Sequence, residues 1–319
     1  MIVYVLVAML VAVFIASLVA PEALTALGLK LERRISGLQT KHVKVDGFDM
    51  PYLDGGTGEV LVLIHGFAGD KDNFTRIARF LTPHYRVLIP DLPGFGGASR
   101  DPQASYGMAD QVGRIHSFLG QLGITRCHMG GSSMGGFIAA QFVVPYGHMV
   151  QGLWLLDSAG TTGSHSSAML KNYEKTGESP LLVKRVGDFN ETIRATTHKA
   201  PFLPGFARVA LGLRAVADFE LHTNILRQLS DSPLLELTYK PMQTLALIVW
   251  GKEDEILSPA GAEDFRVLFP NSKVILMDGI GHLPMVEAPE QTAKDYLAYR
   301  ASLASSPSQE TARLSDVRR

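Results

Sequence analysis

The pentapeptide Gly131-Ser132-Ser133-Met134-Gly135 matches G-x-S-x-G, a turn that presents a serine between a strand and a helix. The strand-like residues 126–130 come directly before it, and the helical pattern of residues 136–144 comes directly after it. Glycine on each side of the central serine lets the helix backbone close against the strand in this strained turn. In this context the pentapeptide predicts an α/β fold with Ser133 as a catalytic nucleophile, and it leaves the adjacent Ser132 with a structural role.

A serine hydroxyl needs a general base, and the base needs a carboxylate that orients it. Residues 250–254 end in Asp254 after an apolar strand-like run, and His282 follows the next such run. The chain order Ser133, Asp254, His282 is the order that this strand-turn-helix arrangement uses for nucleophile, acid and base. Asp157 also ends a strand-like run and is the alternative acid.

The oxyanion of an acyl-transfer reaction needs two backbone N–H donors. Met134 follows the nucleophile and supplies the first. His65-Gly66-Phe67 follows an earlier apolar run, which makes the N–H of Phe67 the candidate for the second. We expect His65 to brace this loop rather than to transfer protons. Packing or surface roles are expected for other histidines, which lack a paired carboxylate in the sequence: His84, His128, His148, His165, His198 and His222.

Strand-like runs alternate with amphipathic helical stretches beyond residue 40, which predicts a mostly parallel central sheet flanked by helices. The alternation occupies residues 41–160 and resumes over residues 241–304. Residues 161–240 are rich in helical patterns and scattered aromatic side chains, and we interpret them as an inserted helical cap over the strand ends. The polar residues 305–319 are expected to form a frayed tail.

The N-terminus predicts a transmembrane helix. No charged residue occurs from Ile2 to Ala20, and a helix of this length nearly spans the hydrocarbon core of a bilayer. A cleaved signal peptide is the alternative, but no basic residue precedes the run, and Leu18 stands where cleavage needs a small side chain. Residues 1–40 therefore read as an anchor and an amphipathic juxtamembrane helix. The apolar stripe of that helix could contact lipid, the catalytic domain or a second copy of the chain in a homodimer.

Charge and cysteine usage exclude some partners and sites. The formal net charge of −1 offers no clustered basic surface, so nucleic acid is not an expected partner. The single cysteine, Cys127, cannot form an internal disulfide, and one thiol without well-spaced histidines cannot build a zinc site. We expect Cys127 to be a small buried apolar residue.

A family resemblance covers nearly the whole chain beyond residue 40. The blocks that carry it are residues 65–74, 91–96, 131–136, 250–254 and 281–282. The chain resembles bacterial lipases, membrane-anchored phospholipases A and the animal membrane-bound monoacylglycerol lipases of the α/β-hydrolase fold. The resemblance implies hydrolysis of lipid carboxylic esters through an acyl-enzyme, without metal or organic cofactor, and it implies the same triad of Ser133, Asp254 and His282. Ala98 departs from the serine that many relatives carry.

Alternatives remain for both function and location. A short-chain carboxylesterase, a carbon–carbon bond hydrolase and a non-catalytic protein that binds a hydrophobic ligand would fit parts of the same pattern. Lys30, Arg33 and Arg34 follow the predicted anchor, which by the positive-inside rule favours a cytoplasmic catalytic domain. The resemblance implies instead a single-pass protein of the bacterial inner membrane with a periplasmic domain, and this is the location that we expect.

Overall fold

The computed structural model describes Tyr4 and residues 14–305. An eight-stranded sheet in the order β1-β2-β4-β3-β5-β6-β7-β8 forms its centre. Strands β3 to β8 are parallel, whereas β1 pairs antiparallel with β2, and β2 pairs antiparallel with β4. The strands are β1 Leu38–Val45, β2 Phe48–Gly55, β3 Val60–Ile64, β4 Arg86–Pro90, β5 Cys127–Ser132, β6 Val150–Leu156, β7 Ala246–Gly251 and β8 Ser272–Met277.

Helices flank the sheet and fill the long connection between β6 and β7. The helices are α1 Pro21–Ile35, α2 Thr75–Leu81, α3 Met108–Gln121, α4 Met134–Tyr146, α5 Ala168–Thr176, α6 Phe189–Thr196, α7 Gly205–Ala217, α8 Phe219–Ser230, α9 Leu235–Thr238, α10 Gly261–Leu268, α11 Pro284–Glu287 and α12 Pro289–Ala304. Helices α5 to α9 all belong to the connection between β6 and β7.

Strand β3 shows how the sequence produces two cores. Val62 and Ile64 point into one buried cluster with α3, α4 and α10, while Leu61 and Leu63 point into a second cluster with α2 and α12. A central parallel strand is covered on both faces, so it reads as a continuous apolar run rather than as an alternating one. The predicted mostly parallel sheet with flanking helices is confirmed.

The hairpin β1–β2 was not predicted. Its two-residue turn consists of Asp46 and Gly47, which both have positive φ, at 48° and 86°. Aspartate followed by glycine favours this tight hairpin turn because both tolerate the left-handed region. Strand β1 lies at the sheet edge with most of its side chains exposed, and a polar edge strand lacks the apolar run by which the other strands were recognised.

The N-terminal helix α1 packs on the α/β domain. Arg33 donates two hydrogen bonds to the Asp72 carboxylate at 2.6 and 2.5 Å, and Arg76 donates one to Glu32 at 3.0 Å. Leu27 and Leu31 nevertheless remain exposed on α1. One face of the predicted juxtamembrane helix therefore contacts the domain, while part of its apolar stripe does not.

The predicted anchor and the predicted tail lie largely outside the described residues. Residues 14–19 are helical, but most of the segment Ile2–Ala20 is not described, and residues 306–319 are not described either. Within Tyr4 and residues 14–305, no helix combines the length and the apolar character needed to cross a membrane.

Candidate active site

The turn at Ser133 has the strained geometry that its sequence predicts. Ser133 has φ 56° and ψ −122°, a conformation that non-glycine residues rarely adopt. Its N–H donates to the Leu156 carbonyl at 3.0 Å, and its own carbonyl accepts the N–H of Phe137 at 3.1 Å. A side chain at Gly135 would overlap the carbonyl oxygens of Ile64 and His65. Helix α4 therefore starts so close to β3 that the turn requires glycine there.

The loop that follows β3 lies directly beside the Ser133 side chain. A Cβ atom built on Gly66 would be 3.0 Å from Ser133 Cβ and 3.6 Å from Ser133 Oγ. The Ser133 side chain is partly exposed, and its hydroxyl forms no hydrogen bond with any residue that the structure describes. It is therefore open to a substrate at the edge where β3 and β5 end.

His282 is hydrogen-bonded to Asp254 in a buried site. Its Nδ1 donates to Asp254 Oδ2 at 2.8 Å. Oδ2 also accepts the indole N–H of Trp250 at 3.2 Å, and Oδ1 accepts the backbone N–H groups of Ile256 and Leu257 at 2.8 and 3.0 Å. With its proton on Nδ1, the neutral imidazole has a free lone pair on Nε2, as a general base requires.

Parallel strands bring these groups to one edge of the sheet. Ser133, Asp254 and His282 follow the carboxyl ends of β5, β7 and β8. Glu253 N–H donates to the Ile280 carbonyl at 3.0 Å, which holds the last two loops together. His282 Nε2 and the Ser133 hydroxyl do not form a hydrogen bond in this structure. Such contacts are often long in unliganded enzymes and tighten when substrate binds.

Asp157 lies next to this pair without replacing Asp254 as the partner of His282. Asp157, Asp254 and His282 each place a side-chain oxygen or nitrogen within 4.8 Å of the others. Asp157 Oδ1 accepts the Gly251 N–H at 2.9 Å, while the buried Oδ2 has no hydrogen-bond donor among the described groups. Burial, together with the charge of Asp254, raises the pKa of the Asp157 carboxyl well above its usual range.

The predicted oxyanion donors, Phe67 and Met134, lie in the two segments that adjoin Ser133. The backbone N–H of each has no acceptor within the part of the chain that the structure describes. Met134 is the first residue of α4, where helix geometry leaves N–H groups unpaired and the helix dipole favours negative charge.

His65 braces the Phe67 loop, as expected. Its Nε2 accepts the Leu92 N–H at 3.1 Å, so Nδ1 carries the proton and donates to the Gly66 carbonyl at 2.8 Å. Burial lowers the pKa of His65, which favours this neutral form. The side chain therefore holds the loop and has no free nitrogen for proton transfer.

Two histidines make contacts that the sequence did not predict. His222 of α8 donates from Nε2 to the Gly94 carbonyl at 3.2 Å, and its ring centroid lies 5.5 Å from that of Phe67. A helix from the connection between β6 and β7 thus rests on the predicted oxyanion loop. His128, for which a packing or surface role is expected, is buried, and its Nε2 lies 3.2 Å from a carboxylate oxygen of Glu59. That contact is near the start of β5, at the opposite end of the strand from Ser133.

Two other features do not contribute to this site. Burial raises the pKa of the Cys127 thiol to about 12, so it is no alternative nucleophile. A cavity of about 750 Å³ lies between α1 and α7 and includes Arg33, Arg100 and Arg214 in its lining. None of the five predicted site residues lines it.

Comparisons with known proteins find similarity to lipases and to a phospholipase. The chain is 37% identical over 299 residues to Lipase 1 of Psychrobacter immobilis, with 89% of this chain and 92% of that protein covered. It is 26% identical over 299 residues to monoacylglycerol lipase abhd6-B of Xenopus laevis, with 89% of each covered. The crystal structure of a membrane phospholipase A, described as a bacterial virulence factor, matches with a TM-score of 0.87 and 36% identity, and covers 96% of this chain and 100% of that one.

A family model described as alpha/beta hydrolase fold matches residues 59–289, which include the turn at Ser133, Asp254 and His282. The match therefore extends over every strand from β3 to β8 and over the helices between them. The chain belongs to the alpha/beta hydrolase fold family.

Proposed function

We propose that this chain is a serine hydrolase that cleaves carboxylic esters of lipids through an acyl-enzyme on Ser133. The observation that carries the proposal is the buried His282–Asp254 pair at the sheet edge where the strained Ser133 turn lies. The lipase and phospholipase relatives support esters of lipids as the substrate class.

The proposed mechanism follows from the assignment of the His282 proton to Nδ1, which leaves Nε2 free to act as a base. His282 Nε2 removes the Ser133 proton as Oγ attacks the ester carbonyl, and the imidazolium that forms is stabilised by Asp254. The same imidazolium then protonates the leaving alcohol. Water, activated by His282 in the second half-reaction, attacks the acyl-enzyme and releases the fatty acid.

Phe67 and Met134 are proposed to donate their N–H groups to the oxyanion in both half-reactions. Each N–H lacks a described acceptor, so neither donor must give up a protein hydrogen bond when the oxyanion forms. Loss of one such donor commonly lowers kcat by about 10²- to 10³-fold. The bracing of the Phe67 loop by His65 and by the ring of His222 would preserve this geometry between turnovers.

Released fatty acid from a substrate panel tests the proposal. We expect Ser133→Ala to lower kcat by roughly 10⁵-fold or more, because the nucleophile and its base act as a unit. Ser132→Ala is the matched control: its hydroxyl is buried and has no described hydrogen-bond partner, so activity should stay within a few-fold of wild type. Full activity in Ser133→Ala would refute the assignment.

The panel also separates the alternatives. Lysophospholipids, diacyl phospholipids, monoacylglycerols and short-chain esters should be compared on the same protein preparation. Hydrolysis confined to short acyl chains would indicate a carboxylesterase. No hydrolysis, combined with no labelling of Ser133 by a fluorophosphonate, would favour a protein that binds a hydrophobic ligand. Labelling without ester hydrolysis would direct the search to carbon–carbon bond cleavage.

We further propose that residues 1–40 anchor the enzyme in a membrane and that residues 161–240 form its cap. Support for the anchor comes from the uncharged segment Ile2–Ala20 and from the exposed Leu27 and Leu31 of α1. Support for the cap comes from the contact of His222 with Phe67. The membrane phospholipase A relative supports a location at a membrane. We propose the bacterial inner membrane with a periplasmic domain, as the family resemblance implies, and a homodimer through the N-terminal helix that crosslinking in membranes would test.

A further inference from the structure

Asp157 is a second buried carboxyl group beside the proposed acid, and the proposed mechanism gives it no task. It is completely buried at the end of β6 and has φ 43°, a left-handed conformation that aspartate tolerates better than most residues. Its backbone N–H donates to Val249 of β7 at 3.0 Å, and its Oδ1 accepts the Gly251 N–H at 2.9 Å. Asp157 is thus attached at two points to the strand that leads to Asp254.

Its second oxygen is the unusual part of the arrangement. Asp157 Oδ2 is sealed from solvent and receives no hydrogen bond from a described group. An ionised carboxylate in that position would leave a buried charge without a donor, next to the Asp254 carboxylate. A carboxylic acid would instead carry a proton on Oδ2, which then needs an acceptor.

Asp254 is the neighbouring acceptor, because a side-chain oxygen of each carboxyl group lies within 4.8 Å of the other. Its side chain accepts hydrogen bonds from His282, Trp250, Ile256 and Leu257, so Asp254 serves as the acceptor of the pair and Asp157 as the donor. A proton on Asp157 Oδ2 would share one of the Asp254 oxygens with these donors, as in a three-centre hydrogen bond. Glu287 is a further charged group that acts on Asp157, and its carboxylate accepts the backbone N–H groups of Gly281, His198 and Lys199.

We propose that Asp157 is a positioning residue that remains a carboxylic acid and donates a hydrogen bond from Oδ2 to the Asp254 carboxylate. This inference rests on the proposed function, because it assigns Asp254 to the same triad. Asp157 connects the end of β6, through Gly251, to the loop that holds Asp254. By donating to Asp254, it also weakens the electrostatic stabilisation that the Asp254 carboxylate gives to the imidazolium form of His282.

Infrared difference spectroscopy of the full-length protein tests the protonation state without any turnover. Subtracting the spectrum of Asp157→Asn from that of wild type at neutral pH should show the carbonyl stretch of a protonated carboxylic acid. Asp54→Asn is the matched control, because hydrogen bonds from Arg86 and Lys41 overcome the effect of burial and lower the pKa of Asp54. That variant should show the loss of an ionised carboxylate only.

The pH dependence of kcat/KM tests the positioning role. Asparagine at position 157 keeps a neutral donor and tolerates positive φ. We therefore expect activity within about threefold of wild type and no change in the acidic limb, which is the part of the pH profile where kcat/KM falls as the pH is lowered. Asp157→Gly keeps the backbone conformation but removes the donor. We expect kcat to fall about tenfold, as for the loss of one hydrogen bond to a charged group, and the acidic limb to move to higher pH because Asp254 then stabilises the imidazolium more strongly.

Three results would overturn the inference. Absence of the carboxylic acid band in wild type would show that Asp157 is ionised, and so would an acidic limb that moves to lower pH in both variants. An unmoved limb in Asp157→Gly would reduce Asp157 to a purely structural role. If Asp157→Asn did not fold, the glycine variant would serve as the spectral reference. The infrared band can be measured even on a chain that hydrolyses nothing. Failure of the proposed function is therefore distinguishable from failure of this inference.

Discussion

Asp70 joins α7 to the core through an ion pair with Arg214, whose Nη2 lies 2.7 Å from Asp70 Oδ2; the carboxyl is buried, and the Arg214 side chain is 37% exposed. Burial opposes ionisation of this carboxyl, but the charges of Arg214 and Lys71 outweigh it and lower the pKa to about 2. A folded pKa below the unfolded value means that the carboxyl contributes stability above about pH 4, and that this contribution is lost as the pH falls to about 2.

Asp70→Asn should therefore destabilise the protein by on the order of 2 kcal/mol at pH 7, and the difference from wild type should shrink below pH 4. Urea unfolding of both proteins at pH 7, 5, 4 and 3 measures this. Asp278→Asn is the control, because its pair with Lys252 is largely exposed and should contribute little to stability. A difference that stayed constant with pH would contradict the assignment of the stability to the Asp70 charge.

Single residues also show where sequence reasoning succeeds and where it stops. Ser133, Asp254 and His282 were singled out because each lies within a few residues of the end of a recognisable strand, and parallel strands deliver such residues to one edge. The choice between Asp254 and Asp157 as the partner of His282 depends on side-chain directions in two loops. The contact of His222 with Phe67 joins positions far apart in the chain, which no local pattern encodes.

The junction between β3 and α4 depends on a close backbone approach at Gly135. An added Cβ would overlap the carbonyl oxygens of Ile64 and His65, and backbone atoms cannot move aside as a flexible side chain can. Gly135→Ala should therefore lower the free energy of unfolding by about 3 kcal/mol or more, or prevent folding.

Gly113→Ala is the matched control for this substitution. Gly113 lies inside α3, and a Cβ built there has no atom within 4 Å. Alanine should stabilise that helix by up to about 1 kcal/mol because it loses less backbone entropy on folding. Thermal and urea unfolding of both variants provide the comparison. Equal effects at the two positions would show that α4 can shift away from β3 and that the close approach is not required.

Elements differ in how well the sequence predicts them. Central strands such as β3 and β7 are buried on both faces and appear as unbroken apolar runs. Strand β1 has most of its side chains exposed at the sheet edge, and its sequence resembles a polar loop. The hairpin was therefore missed, although its Asp46-Gly47 turn carries a recognisable signal.

In the whole molecule, the predicted anchor precedes α1. The Arg33–Asp72 ion pair holds α1 on the domain. Removal of residues 1–20 should release the protein from membranes without unfolding it, because α1 and its ion pairs remain. Membrane fractionation with alkaline extraction should leave the full chain in the pellet and the shortened chain in the supernatant, with both cleaving a soluble ester. Retention of the shortened chain in the pellet would assign binding to the exposed apolar residues of α1 instead.

The residues of the proposed triad are synthesised at different times, because Ser133 precedes Asp254 and His282 by more than a hundred positions in the chain. A ribosome completes β5 and Ser133 first, then makes the whole helical insertion, and only afterwards supplies β7, β8 and the Asp254–His282 pair. A nascent or prematurely terminated chain would hold a nucleophile without its base. Such a chain could not attack the lipids around it, so competence would arrive only when the last two parallel strands join the sheet.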